Sequence, residues 1–150
     1  MKQYVVEKEF ESHGLKCVVV MQLMGHRCGY VGIPKNHPLY QKDKSSFRKI
    51  IGDEDCHGGI TFADGGKNSS YPIQSDLWWF GFDCDHVCDS NDYESAKQLF
   101  ADDTDALEQI KFYEKDDINF SHSRIRPLEY VENECSKLAK QLSSVANHLG

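Results

Sequence analysis

The sequence has no apolar run long enough to cross a bilayer. Its longest aliphatic stretch, residues 18–21, is followed directly by a glutamine, whereas a membrane-spanning helix needs about 20 predominantly apolar residues. Charged residues also interrupt the N-terminal stretch where a signal peptide would have its apolar region. We therefore expect a cytoplasmic protein that does not associate with membranes.

The cysteine pattern predicts neither a disulfide scaffold nor a zinc finger. Six cysteines are spread over 150 residues, no CxxC pair is present, and three residues separate Cys84 from Cys88. A density this low without an export signal is typical of reduced thiols, several of them small apolar residues of the core. Cys28, Cys56 or Cys84 could instead act as a nucleophile beside a histidine, in surroundings that favour the thiolate.

The charge distribution argues against binding to a nucleic-acid backbone, because the net charge is −7. Residues 83–117 hold twelve acids and three bases, a net charge of −9, and residues 26–49 hold six bases and one acid, a net charge of +5. The basic stretch is either a solvated face or a site for a small anionic molecule. A homo-oligomer and a divalent metal cofactor are both compatible with the sequence.

β-Branched residues and turn signals predict an N-terminal hairpin and further strands. Residues 3–11 and 15–24 flank Ser12-His13-Gly14, where the glycine can adopt a positive φ. The most apolar stretch, at the centre of the chain, has the composition of a strand buried on both faces. Strands are predicted beyond the hairpin over residues 28–34, 58–63 and 77–84, and a loop over residues 64–72.

Helical periodicity is clearest at the C-terminus. Apolar residues three and four positions apart form one stripe, made by Leu128, Val131, Cys135, Leu138, Leu142, Val145 and Leu149. A short helix over 39–51, with Ser45 as its cap, and partly helical structure over 93–115 are also predicted. The whole chain, residues 1–150, is thus predicted to be one α+β domain, in which the long C-terminal helix packs on a mixed or antiparallel sheet.

Residues 83–89 directly follow the predicted buried strand and are rich in ionisable groups. Asp83, Asp85, His86 and Asp89 lie within seven residues, where the end of a core strand would hold them rigidly near solvent. Three interpretations remain open. His86 with Asp83 or Asp89, together with His57, could bind zinc, manganese or iron; His86 and an aspartate could form an acid–base pair; or the segment is a polar turn.

The motif His57-Gly58-Gly59 is the second candidate. Two glycines after a histidine allow the backbone to approach a ligand or another strand closely, and their amides could bind an anion. A tight turn into the next strand is the alternative. Arg27 and His37, which flank a predicted strand, and Arg126, before the last helix, are further candidates for ligand binding, although each could be purely structural.

An ordered set of motifs resembles a family of small proteins encoded in tailed phages and prophages. The motifs are Gly-Tyr-Val-Gly-Ile-Pro-Lys-Asn-His-Pro-Leu-Tyr at 29–40, His-Gly-Gly-Ile-Thr-Phe at 57–62, Trp-Trp-Phe-Gly-Phe-Asp-Cys-Asp-His at 78–86 with Asp89, and Tyr-Val-Glu-Asn-Glu-Cys with Leu-Ala-Lys-Gln-Leu within 130–142. Cys88 departs from the pattern, which has a small residue there. The resemblance implies a phage origin, a location in the host cytoplasm, and His37, His57, Asp83, His86 and Asp89 as the marked polar positions.

Three functions are consistent with these features. The first is capture of a small anionic, nucleotide-like host metabolite or immune signal by His37, Gly58, Gly59, Arg27 and Arg126. The second is hydrolysis, with or without a metal, by His57, Asp83, His86 and Asp89. The third is a structural or interaction role in which the acidic segment 83–117 mimics a polyanion or binds a basic host partner. The first two require that the segments around His57 and His86 form one site.

Overall fold

The N-terminal hairpin forms where the turn signal predicts it. In the computed structural model, which describes residues 1–52, 56–86, 89–117 and 124–149, strand β1 (Tyr4–Ser12) pairs antiparallel with β2 (Leu15–Gln22). The turn places His13 and Gly14 at φ values of 52° and 77°. Glycine has no Cβ to oppose this left-handed conformation, which explains the turn's position.

A five-stranded sheet extends from this hairpin. Strands β3 (Arg27–Ile33), β4 (Phe62–Gly65) and β5 (Trp78–Asp83) complete it in the order β1-β2-β3-β5-β4, and every neighbouring pair is antiparallel. The α+β prediction is therefore confirmed. The sheet was predicted to be mixed or antiparallel, and it is antiparallel. Trp79, Phe80 and Phe82 of β5 are almost fully buried, as expected for a strand covered on both faces.

The helices pack largely on one face of the sheet. Helix α4 (Leu128–Leu149) lies against β2 and β3, and its predicted stripe is confirmed by the full burial of Val131, Cys135, Leu138 and Leu142. The side chain of Leu149 lies outside the described part. The other helices are α1 (Lys44–Ile51), α2 (Tyr93–Leu99) and α3 (Thr104–Asp116). None of the described helices combines the length and the apolar character needed to cross a bilayer.

Several boundaries differ from the predictions. Helix α1 begins at Lys44 rather than at 39, because Asp43 and not Ser45 caps it and accepts a hydrogen bond from the Ser46 amide at 2.9 Å. The strand predicted over 58–63 begins only at Phe62 and extends to Gly65, into the predicted loop. A parallel pair of two-residue strands, β6 (Asp89–Ser90) and β7 (Arg124–Ile125), was not predicted.

Candidate functional site

Two connections bring the acidic segment and the start of α4 together. Beyond the end of β5 at Asp83, the Asp89 amide donates to the His86 carbonyl at 2.8 Å and closes a turn that places His86 and Asp89 side by side. Asp89 then opens β6, which pairs with β7. Because Arg126 follows β7 directly, this short pairing brings its guanidinium to the Asp89 carboxylate.

A second turn brings His57 to the same place. Buried Cys56 and Ile60 anchor the turn on either side, and the Gly59 amide donates to the Cys56 carbonyl at 3.0 Å. The ring centroids of His57 and His86 are 5.2 Å apart. The two predicted segments, some thirty positions apart in the chain, therefore meet as expected.

Asp89 is the centre of the cluster. Its side chain is 1% exposed and its two oxygens have different partners. Oδ1 accepts a hydrogen bond from Arg126 Nε at 2.7 Å. Oδ2 lies 2.8 Å from His57 Nε2 and 3.1 Å from His86 Nδ1, and it also accepts from the His86 amide at 3.2 Å. One buried carboxylate thus organises two imidazoles and a guanidinium.

The charge on Asp89 is stabilised by these partners. Burial raises the pKa of a carboxyl group, but hydrogen bonds from Arg126, His57 and His86 outweigh burial and lower the Asp89 pKa to about 2. The group is therefore an anion at neutral pH and can serve as a hydrogen-bond acceptor or a metal ligand.

Gly58 makes room for the imidazole of His86. A Cβ atom at this position would lie 2.3 Å from His86 Cε1 and 2.4 Å from its Nε2, and the backbone has a φ of 68°. Both facts require glycine. The predicted anion cradle of Gly58 and Gly59 is not supported at Gly59, because its amide already donates within the turn. The role of Gly58 is instead to let His86 pack against the backbone.

Helix α4 contributes two residues that the sequence reasoning did not single out. Tyr130 Oη lies 2.7 Å from His57 Nδ1, and the guanidinium of Arg126 lies over the Tyr130 ring at 5.0 Å. One turn further along, the buried Glu134 accepts from Tyr130 Oη at 3.5 Å and pairs with Lys137 at 2.8 Å. Burial, and then the negative charge of Glu134, raise the Tyr130 pKa, so the hydroxyl keeps its proton.

A metal ion would find three ligands here. Within the described ranges, one potential ligand atom each from His57, His86 and Asp89 lie within 4.8 Å of one another. Donor atoms on a tetrahedral zinc ion are about 3.3 Å apart, close to the 2.8 and 3.1 Å separations from Asp89 Oδ2. Of the two aspartates predicted as alternative ligands, Asp89 is the one that lies with His57 and His86, because Asp83 Oδ1 approaches only the far side of His86, at 3.7 Å from Nε2.

Two predicted ligand-binding residues lie elsewhere. Arg27 is buried and bound to the carboxylates of Glu7 and Asp92, at 2.6 and 2.9 Å, so its charge is already neutralised. It contributes indirectly, through a 3.1 Å hydrogen bond to the Arg126 carbonyl. His37 is buried too, and its Nε2 lies 2.8 Å from the Leu142 carbonyl. Both residues hold structural elements together and are not at the cluster.

The cysteines near the site are unsuited to nucleophilic attack. All five described cysteines are buried, as predicted for small apolar residues of the core, and none of them is in a disulfide; Cys88 lies outside the described residues. Burial raises the pKa of Cys28 to about 11 and that of Cys84 further still. A nucleophilic cysteine needs the opposite shift and access to solvent, so Cys28 and Cys84 are poor candidates, and Cys56 is as buried as they are.

No protein-family model, curated protein or solved structure matches this chain. Function must therefore be argued from the site itself, because a fold class alone hosts many unrelated activities. The site combines two imidazoles, a buried carboxylate anion, a guanidinium and a tyrosine hydroxyl. It lies where β5, β6 and β7 end near the start of α4.

Proposed function

We propose that the protein is a small metal-dependent hydrolase whose metal ion is held by His57, His86 and Asp89. One observation carries the proposal: His57 Nε2 and His86 Nδ1 converge on the same oxygen of Asp89, at 2.8 and 3.1 Å. Two imidazoles and one carboxylate are ligands of catalytic zinc and of iron sites that keep open positions. A metal ion held by these residues would supply an activated water as the nucleophile near neutral pH.

The outer contacts of the three ligands support this function. Each ligand has a second polar atom that faces a partner: Asp89 Oδ1 binds Arg126, His57 Nδ1 binds Tyr130, and His86 Nε2 faces Asp83 at 3.7 Å. Such partners orient metal ligands and select the nitrogen that is free to bind. Asp83 is about one third exposed and faces the nitrogen of His86 that would not bind the metal, so it would act as an outer partner of this ligand.

Most of the residues predicted to capture an anionic ligand are already bonded to other groups of the protein. Of the groups predicted to hold an anion, Arg27 and His37 are buried and bonded elsewhere, and the Gly59 amide is used within its turn. Arg126 remains, but it is paired with the Asp89 carboxylate at 2.7 Å, and the negative charge of Asp89 disfavours an anionic ligand. A bound metal ion would reverse this unfavourable charge, and with Arg126 it would favour a small anionic substrate such as a phosphoester.

The biological setting follows from the resemblance to phage proteins. We propose that the enzyme acts in the host cytoplasm on a small host molecule. The acidic segment 83–117 supplies Asp83, His86 and Asp89 to the site. Its negative charge therefore contributes to the site itself, in addition to any contact with a basic partner.

The test combines metal analysis with turnover. Purified protein should contain or take up one zinc, manganese or iron ion per chain, and it should hydrolyse a member of a phosphoester and carboxylic ester panel. His57→Ala and His86→Ala should lose both properties, whereas His13→Ala, which alters a histidine of the distant hairpin turn, should lose neither. Unmodified ligand recovered from denatured protein, with no turnover, would favour capture instead.

A further inference from the structure

Metal binding by His57 constrains the position of its own proton. A neutral imidazole has one protonated nitrogen and one with a free lone pair. If Nε2 binds the metal ion, the proton must be on Nδ1, which lies 2.7 Å from Tyr130 Oη. Tyr130 must then accept the hydrogen bond from Nδ1, and its own proton must point to another acceptor.

Glu134 is the acceptor in the right place. It is one helical turn beyond Tyr130, its residue is 5% exposed, and its Oε1 lies 3.5 Å from the Tyr130 hydroxyl. Its other oxygen is fixed by Lys137 at 2.8 Å. An ionised carboxylate accepts hydrogen bonds and donates none. Glu134 therefore favours the orientation in which Tyr130 donates to it.

The distances are also compatible with the opposite direction of the hydrogen bond between Tyr130 and His57. The 3.5 Å contact is long for a hydroxyl donor, whereas 2.7 Å to His57 is ideal. In that orientation Tyr130 donates to Nδ1 and His57 Nε2 donates to Asp89 at 2.8 Å, so the metal-free distances admit both tautomers of His57. With metal on Nε2, only the orientation in which Nδ1 donates to Tyr130 and Tyr130 donates to Glu134 remains.

We infer that Tyr130 and Glu134 are positioning residues that select the metal-binding tautomer of His57. The inference rests on the proposed metal-dependent function and extends it to two residues of α4 that need not touch the substrate. Its consequence is that removal of either polar group weakens metal binding while all three ligands remain in place.

Zinc affinity, measured by competition with a chromogenic chelator, tests this role. Tyr130→Phe keeps the ring that packs on Arg126 and His57 but removes the hydroxyl, and we expect about 10- to 100-fold weaker binding. Glu134→Leu should have a similar effect, and Glu134→Gln, which keeps an acceptor oxygen, should recover most of the affinity. Tyr40→Phe is the matched control, because its hydroxyl binds the distant Asp76 carbonyl at 2.7 Å.

Proton-detected ¹⁵N spectra of the histidine rings provide a readout that a merely structural role would not change. Zinc should fix the proton of His57 on Nδ1 in the wild-type protein. If wild-type protein binds zinc and Tyr130→Phe and Glu134→Leu bind it equally well, the inference is wrong while the proposed function stands. If wild-type protein binds none of the three metals, the proposed function itself is wrong, and the inference falls with it.

Discussion

Gly58→Ala separates the chemistry of the site from the stability of the fold. The new Cβ would lie 2.3 Å from His86 Cε1, closer than non-bonded carbon atoms can approach. Because the His86 side chain is 38% exposed, its ring can turn toward solvent to relieve the overlap. That movement takes Nδ1 away from Asp89 Oδ2, and the site loses one of its three converging nitrogen and oxygen atoms.

The magnitude follows from comparison with Gly14→Ala. Gly14 has a φ of 77°, similar to the 68° of Gly58, but a Cβ there meets nothing within 4 Å. Both variants should therefore lose about 1–2 kcal/mol of unfolding free energy for the left-handed alanine. Gly58→Ala should lose up to about 1.5–3 kcal/mol more, for the hydrogen bond to a charged carboxylate, and its zinc affinity should fall at least about 100-fold.

Urea unfolding and chelator competition on the two variants provide the measurements. Gly14→Ala should bind zinc as the wild-type protein does, in spite of its lower stability. The reasoning would be refuted if Gly58→Ala bound zinc as tightly as wild type, or if the two variants lost equal affinity, because the effect would then follow stability and not the position of His86.

Three further predictions concern buried charged groups and buried thiols. Arg27→Met leaves the carboxylates of Glu7 and Asp92 without their cation and should lower the unfolding free energy in urea by about 3–5 kcal/mol; a loss near zero would contradict it. Burial raises the Asp92 pKa, but hydrogen bonds from Ser95 and Arg27 outweigh it and lower the pKa. The stability from Asp92 is thus present above about pH 4 and lost below it, so Asp92→Asn should flatten the acid limb of the stability profile. Burial also raises the pKa of Cys17 to about 12, so native Cys17 and Cys28 should resist alkylation that labels them in urea; rapid native labelling would show that they are accessible.

The sequence was most informative where structure depends on local patterns. The hairpin follows from glycine at a turn between β-branched stretches, and α4 follows from an apolar stripe that only a helix can bury on one side. The ionisable residues after the buried strand predicted a pairing of His86 with Asp83 or Asp89, and Asp89 is the one within hydrogen-bond distance of His86 Nδ1.

Long-range pairing explains what local patterns missed. Arg27 reads as an exposed basic residue until Glu7 and Asp92, from two other elements, are placed beside it. Tyr130 and Glu134 were included in a motif string but not marked as site residues, although their spacing of four on a helix places them on one face. The pairing of β6 with β7, which is two residues long and has no sequence signal, helps to bring their end of α4 to Asp89.

Anomalous diffraction at the zinc edge, from crystals grown with zinc, tests the central claim most directly. The account predicts one strong peak per chain, about 2.0–2.2 Å from His57 Nε2, His86 Nδ1 and Asp89 Oδ2. A strong peak at other residues, or no peak at this cluster at saturating zinc, would contradict it.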